Sequence, residues 1–344
     1  MKETKVTIKD VAKHAGVGIG TVSSVINRSR SVSPQAQRKV EESIRALGYT
    51  PDELARSFRT QRTQTIAFFV NDISNHSFSS MAKGMYEELE KHGLHLMLHH
   101  TGNKRMEDKI LEAVQQKRFD GIVLTLQDER HPQLLEWLKS SPIPIVLLDR
   151  ELPGIAADVV RSDYYNGIGA ATEHLLALGH RRIGLVTTAS DILPAKDTIR
   201  GYQDALARSG VGSDADMIRR GDFSLEFGMS ASAALIESGA TAIIAGSNQL
   251  LVGSVETVRD LGLDVPRQLS LIGFEDSDVT RLLHPGITVV KRPLVEIGRH
   301  MAELLLARLR NDRNKTRTRA ERAERTVPTE LIVRASCASP IHRT

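Results

Sequence analysis

Five carboxylates in this chain stand at the ends of strand-like runs: Asp72, Asp149, Asp163, Glu275 and Asp276. Catalytic acids and bases occur at such places, and so do the hydrogen-bond acceptors of a cleft that closes on a polar ligand. The ligand-contact reading is preferred, because no catalytic constellation accompanies them. There is no P-loop, no Gly-x-Ser-x-Gly and no His-Glu-x-x-His. An enzyme is therefore not expected. His99-His100 is the only adjacent histidine pair, and its place at the end of a strand-like run suits packing or surface exposure better than metal ligation. Cys337 is the only cysteine, which rules out an intrachain disulfide and any paired-cysteine zinc site. No metal or cofactor is expected.

A second kind of chemistry is written at the N-terminal end. Residues 7–27, Thr7-Ile8-Lys9-Asp10 through Ser24-Val25-Ile26-Asn27, read as two short helices around a glycine turn. Apolar residues fall at Ile8, Val11, Ala12 and Ala15, then at Val22, Val25 and Ile26, so each helix buries one face. Thr7 suits the N-cap of the first helix, and Gly16 the left-handed position that ends it. This is the pattern of a helix-turn-helix, whose second helix enters the DNA major groove. Charge separates it from an ordinary helical hairpin. Residues 1–62 hold twelve Lys and Arg against six Asp and Glu, a surplus of six, whereas the whole chain is +4. The remainder is thus slightly acidic, and the basic charge is gathered where phosphates would be met.

The elements that must carry these residues follow from punctuation and periodicity. A third helix is capped by Ser33, has Pro34 in its first turn and stops at Gly48. Residues 52–62 have little apolar face and read as a hinge, ordered only when something packs on it. From Thr65 onward, short apolar runs alternate with helical patterns. Strands are expected at 66–70, 94–98, 121–126, 145–148, 183–187, 218–220, 242–245 and 269–274, with helices between them. That alternation means parallel sheets covered on both sides, here in two series and so two α/β lobes, with a ligand cleft between them. Residues 311–326 are charged and almost without apolar side chains; a solvated loop or frayed helix end is expected rather than a second nucleic-acid contact. Residues 327–333 read as one late strand. No apolar stretch marks a secretory signal or a membrane span, so a cytoplasmic protein is expected.

On these motifs the chain resembles the LacI/GalR family of bacterial transcription regulators over nearly its full length. Thr7-Ile8-Lys9-Asp10-Val11-Ala12, Thr21-Val22-Ser23 and Asn27 match the family headpiece. Leu47-Gly48-Tyr49, Pro51 and Ala55-Arg56-Ser57 match its third helix and hinge. Asp120-Gly121, His174-Leu175, Leu178-Gly179-His180, Val265-Pro266, Ser270–Phe274 and Pro328–Arg334 match its regulatory domain. The resemblance implies an all-α helix-turn-helix headpiece plus a two-lobed α/β regulatory domain of the periplasmic-binding-protein-like type I class. Its divisions would be residues 1–50 for the headpiece, 51–62 for the hinge helix and 63–344 for the effector-binding and dimerisation domain. Lobe one would take about 63–162 and 290–325, lobe two about 163–289 and 326–344.

The same resemblance implies a homodimer on a pseudo-palindromic operator, acting as a repressor whose DNA affinity a small polar ligand controls by changing the lobe arrangement. Its DNA-binding positions would be Ile19, Gly20, Thr21, Ser23, Ser24, Asn27, Arg28, Arg30, Phe58 and Arg59. Ile19 can touch a thymine methyl, Gly20 offers only backbone, and Ser24 is a permissive reader. Phe58 stands where relatives wedge a leucine into the minor groove; it either intercalates or packs against its twin. The effector-binding positions would be Ser77, Phe78, Gln127, Asp149, Arg150, Phe223, Asn248 and Glu275. An aromatic face with carboxylates and amides suits a sugar. Thr198 stands where many relatives have an arginine, Ser247-Asn248 replaces an Asn-Asp pair, and Glu275 replaces an aspartate. These departures disfavour a sugar acid or phosphosugar and leave a neutral polyol or nucleoside open. The competing class, a stand-alone solute-binding protein or sugar-acting enzyme, would lack the basic helix-turn-helix and hinge.

Overall fold

The computed structural model of the chain describes residues 6–27, 32–49, 62–102, 104–116, 118–189, 191–314 and 322–341. They form two compact units, Met1–Thr63 and Gln64–Thr344.

In the smaller unit three helices pack around one core: α1 (Ile8–Ala15), α2 (Ile19–Asn27) and α3 (Pro34–Leu47). Thr7 and Asp10 form a reciprocal capping box at the start of α1, and Gly16 ends it in the left-handed region, φ 67°. Ser33 caps α3 through the Ala36 N–H, and Gly48 closes it with φ 61°. Val11, Ala12, Ala15, Val22 and Val40 are buried at the centre. The His14 ring lies 2.9 Å from the Ser43 hydroxyl, which ties α1 to α3.

The larger unit contains two six-stranded sheets built to one plan. In lobe one the strands are β1 (Thr65–Val70), β2 (His95–His100), β3 (Gly121–Leu124), β4 (Ile145–Leu148), β5 (Asp158–Ser162) and β11 (Glu324–Val327). Their order is β11-β5-β4-β3-β1-β2, and every pairing is parallel. Lobe two has β6 (Ile183–Thr188), β7 (Ile218–Gly221), β8 (Ala242–Ala245), β9 (Ser270–Phe274), β10 (Thr288–Lys291) and β12 (Glu330–Ile332). Their order is β12-β10-β9-β8-β6-β7, and only β10 with β12 is antiparallel. The chain passes between sheets three times: after Ser162, at Arg292-Pro293 and at Pro328-Thr329.

The central strands are apolar on both faces, as a doubly covered parallel sheet requires. Lobe one is covered by α4 (His76–Glu90) and α12 (Leu294–Asn314) on one face. On its other face are α5 (Met106–Gln116) and α6 (Pro132–Ser140). Where α4 crosses α12 the backbones nearly touch: a Cβ on Gly84 or Gly298 would come within 1.9 Å of a carbonyl oxygen on the other helix. Lobe two is covered by α7 (Tyr164–Ala177) and α8 (Leu193–Arg208) on one side, and by α9 (Leu225–Glu237) and α10 (Asn248–Asp260) on the other. A short helix, α11 (Asp278–Leu282), follows β9.

The C-terminal charged run departs from expectation. Residues 311–314 end α12, as a helix end would, and 315–321 lie outside the described residues, but 324–326 belong to an edge strand, Glu324–Val327, beside β5 rather than to a loop. Its charges are used laterally: Arg161 reaches Glu324 at 2.7 Å, and Arg325 bonds Glu303 on α12. The single late strand expected at 327–333 is two strands, one in each sheet, separated by the Pro328-Thr329 crossing.

Candidate functional site

Parallel strands bring their carboxyl ends to one edge of each sheet, and here the two edges face one cavity of about 370 Å³ between the lobes. All eight residues named from the sequence line it: Ser77, Phe78, Gln127, Asp149, Arg150, Phe223, Asn248 and Glu275. Ser77 and Phe78 arrive on the first turn of α4, capped by Asn75, whose Oδ1 accepts from the Ser77 N–H at 3.0 Å. The same Oδ1 accepts from Asn248 Nδ2 at 2.9 Å, so the N-termini of α4 and α10 are joined across the cleft. Thr198 is in the wall beside Ile192, Pro194 and Ala195. Arg200 turns away, onto Asp197 and the Tyr165 ring.

Of the five strand-end carboxylates, Asp72, Asp149 and Glu275 reach the cavity. The other two are occupied elsewhere. Asp163 caps α7 through the Asn166 N–H at 3.0 Å, and Asp276 holds Arg334 at 2.7 Å.

The floor is a buried ion cluster that sequence reasoning missed. Arg292, at the second crossing between sheets, donates from Nε to Glu275 Oε1 at 2.6 Å and again from Nη2 to the same oxygen. Its Nη1 faces Asp149 Oδ2 at 3.0 Å, Ser162 Oγ at 3.2 Å and the Tyr164 hydroxyl at 2.8 Å. Tyr164 stacks on Phe274 with ring centres 5.2 Å apart, and the guanidinium lies 5.5 Å from each ring centre. The cavity has no arginine at the Thr198 position, but one stands in its floor from another strand end. The rule that selected Glu275 after β9 would have selected Arg292 after β10, the next strand in the sheet.

Asp149 and Glu275 share an unusual backbone. Both have left-handed conformations, φ 53° and 76°, which cost a non-glycine residue on the order of 1 kcal/mol. Asp149 is fully engaged, since the Ser162 N–H, the Tyr164 hydroxyl and Arg292 all donate to it. Glu275 is not. Arg292 takes Oε1, while Oε2 is buried and makes no well-formed hydrogen bond, with the Ser77 hydroxyl the nearby donor. One of the two Glu275 oxygens is therefore taken by Arg292. Burial pushes its pKa above the usual carboxylate range, and Arg292 and the Ser77 hydroxyl pull it back. For Arg292 burial opposes the charge, but Glu275, Tyr164 and Asp149 outweigh it and the pKa is raised. Arg150 is turned inward, bonding the carbonyls of Leu126 and Asp149.

In the smaller unit, α2 carries Ile19, Gly20, Thr21, Ser23, Ser24 and Asn27 on one short helix. Val22 is fully buried beneath it, whereas Ile19 is 47% exposed and Gly20 is open. Arg28, Arg30, Phe58 and Arg59 lie outside the described residues, as does residue 51–61 of the expected hinge.

Residues 7–52 match the lacI family of bacterial regulatory proteins, and residues 172–337 match the periplasmic binding protein-like domain. The HTH-type transcriptional regulator DegA of Bacillus subtilis is 32% identical over 98% of this chain and 99% of its own length. The HTH-type transcriptional regulator GalR of Escherichia coli is 34% identical over 88% of each. The chain belongs to the lacI family. Among solved structures, a CelR–cellobiose complex is 29% identical over 96% of this chain and 99% of that one, with a TM-score of 0.71. A lacI-family regulator from Enterococcus faecium with bound ribose is 27% identical over 80% of this chain and 99% of its own, with a TM-score of 0.70. The lac repressor dimer on its operator, 22% identical with a TM-score of 0.82 over 97% of this chain, shows the same fold.

As a lacI-family member the chain is a DNA-binding transcriptional regulator and not an enzyme. Among the described residues, no helix is long and apolar enough to cross a membrane, and no group of three His, Cys, Asp or Glu could hold a metal.

Proposed function

We propose that this protein is a repressor that binds a pseudo-palindromic operator as a homodimer and changes its operator affinity when a small sugar-like ligand occupies the inter-lobe cavity. The observation that carries the reading is the cavity itself. It has an aromatic side chain from each lobe, Phe78 and Phe223, and amides and carboxylates around them. Rings stack on aromatic faces while hydroxyls bond the polar groups. Cellobiose and ribose in two related structures fit the same chemistry. Because both lobes line the cavity, a ligand that bonds both favours one lobe arrangement, and only such differential affinity can shift an equilibrium.

On the DNA side, Ile19, Gly20 and Ser24 read bases, and Thr21, Ser23 and Asn27 meet phosphates, with Arg28, Arg30, Phe58 and Arg59 adding contacts from the flanking segments. Two exposed apolar features support dimerisation. One joins Leu98 on the edge strand β2 to Tyr86 on α4, which covers the same face; the other is on α11, where Leu282 is 74% exposed.

The test is to select duplexes from a random library with the purified full chain, and then follow binding by anisotropy while salt and sugars are varied. The reading expects a two-fold-symmetric consensus, an affinity that falls steeply with salt, and a sugar that shifts it. A monomer at micromolar concentration that selects no sequence would contradict it.

A further inference from the structure

The larger unit begins with a strained residue. Gln64 has a left-handed backbone, φ 55°, where the chain arriving from the helix-turn-helix enters lobe one. A side chain disfavours this region, so the conformation persists only where neighbours over-determine it. They do so here from both sides. β1 lies between β3 and β2 in the sheet. On the β2 side the Gln64 carbonyl accepts the His95 N–H at 2.7 Å. On the β3 side the Gln64 N–H donates to Oδ2 of Asp120 at 3.0 Å. Both backbone polar groups of Gln64 are thereby taken.

Asp120 is itself held in place. Its own N–H donates to the Thr65 carbonyl at 2.9 Å. Gly121, next to it, lies against α12: an added Cβ would come 3.1 Å from the Leu305 side chain and 3.2 Å from that of Ile66. The strands are parallel, so this clamp sits on the edge of the sheet opposite the cavity. Its bond to Asp120 is charge-assisted and therefore among the stronger kinds. It is also the one bond of the three that a side-chain substitution can remove. A strand can begin without a strained residue or a carboxylate beside it. What the clamp adds is a fixed direction for the chain that leads from β1 back to the helix-turn-helix.

We propose that Asp120 is a positioning residue for operator binding: by clamping Gln64 it fixes the direction in which each protomer's chain leaves lobe one, and so the separation and rotation at which a dimer presents its two helix-turn-helix units. This rests on the reading of the protein as a dimer on a two-fold operator. Both half-sites are engaged only when the linked units reach both at once. Rotation at an unclamped Gln64 spreads the second unit over many positions and lowers its effective concentration at the second half-site. Binding to one half-site has no such requirement.

The test uses the full chain and the duplex that it selects from a random library, in three forms: as selected, with one or two base pairs inserted at the centre, and cut down to a single half-site. Each added base pair turns one half-site about 35° around the duplex axis. The proposal expects the unmodified protein to prefer the selected spacing by about tenfold or more, and Asp120→Ala to reduce that preference to about threefold or less. Half-site binding should stay within about twofold, and thermal unfolding should stay cooperative. Asp120→Asn, whose amide oxygen still accepts an N–H, should keep most of the preference. A role in stability alone would leave the preference untouched. Should Asp120→Ala fail to fold, Gln64→Val, which leaves Asp120 in place but resists the left-handed region, must reduce the same preference. A preference unmoved by substitution, or a loss that is equal on the half-site, overturns the proposal and leaves the two-fold reading standing. An unmodified protein with no spacing preference removes that reading and the proposal together.

Discussion

Lobe one and lobe two share strand order, strand-end carboxylate and left-handed backbone, yet they use the carboxylate differently. Asp149 is saturated by donors from its own crossing and from Arg292. Glu275 keeps one oxygen buried without a well-formed hydrogen bond. A side chain whose bonds are all internal holds the fold; one left incomplete in a buried site awaits a partner. Having equivalent positions in a duplicated architecture therefore does not make two residues equivalent in function.

The largest effect should come from breaking the saturated side. Asp149→Ala leaves the Ser162 N–H, the Tyr164 hydroxyl and part of Arg292 unpaired in the interior. Denaturant unfolding should show a loss of about 3–5 kcal/mol from the larger unit. Glu275→Ala removes a carboxylate already short of one partner, and Arg292 keeps Asp149, so the loss should be about 1 kcal/mol. Equal losses would erase the distinction between the lobes.

Helix packing offers a control in which the lobes should agree. Gly298 on α12 meets the Met81 carbonyl in lobe one, and Gly201 on α8 meets the Tyr165 carbonyl in lobe two; an added Cβ would come to 1.9 Å and 2.3 Å. Gly298→Ala and Gly201→Ala should each cost about 1–3 kcal/mol by overpacking, read as a lower thermal midpoint. A silent substitution in one lobe would show that its helices are free to move apart.

The smallest effect belongs to the rim, where Arg130 of lobe one meets Asp191 of lobe two at 2.7 Å, both well exposed. Exposed pairs contribute little and are screened by salt. Arg130→Ala should move the half-maximal effector concentration by no more than about threefold at low salt, and not at all in roughly 0.5 M salt. A larger change that persists in salt would make the rim, rather than the floor, the site of lobe coupling.

The headpiece was readable in the sequence because its signals are local. Thr7 and Ser33 cap, Gly16 and Gly48 stop, and the apolar stripes recur at helical spacing. The strand-end rule located the cavity lining for the same reason, since each apolar run marks its own terminus. What escaped depends on distant pairing. β11 has charged side chains and pairs only with β5, so no alternation announces it. Arg292 looks like a surface residue beside Lys291 and Pro293, and only the fold brings Asp149, Ser162, Tyr164 and Glu275 around it. The internal bond that occupies half of the Glu275 carboxylate is legible only after that.

The central claim is that Glu275 faces the ligand while Asp149 holds the frame. It is tested most directly by titrating the Glu275→Ala protein on its operator with an effector identified for the unmodified protein, following release or binding by fluorescence anisotropy. The account predicts a folded protein that binds operator and gives no response at effector concentrations that saturate the unmodified protein. A normal response at those concentrations would contradict it and place Glu275 outside the ligand's reach.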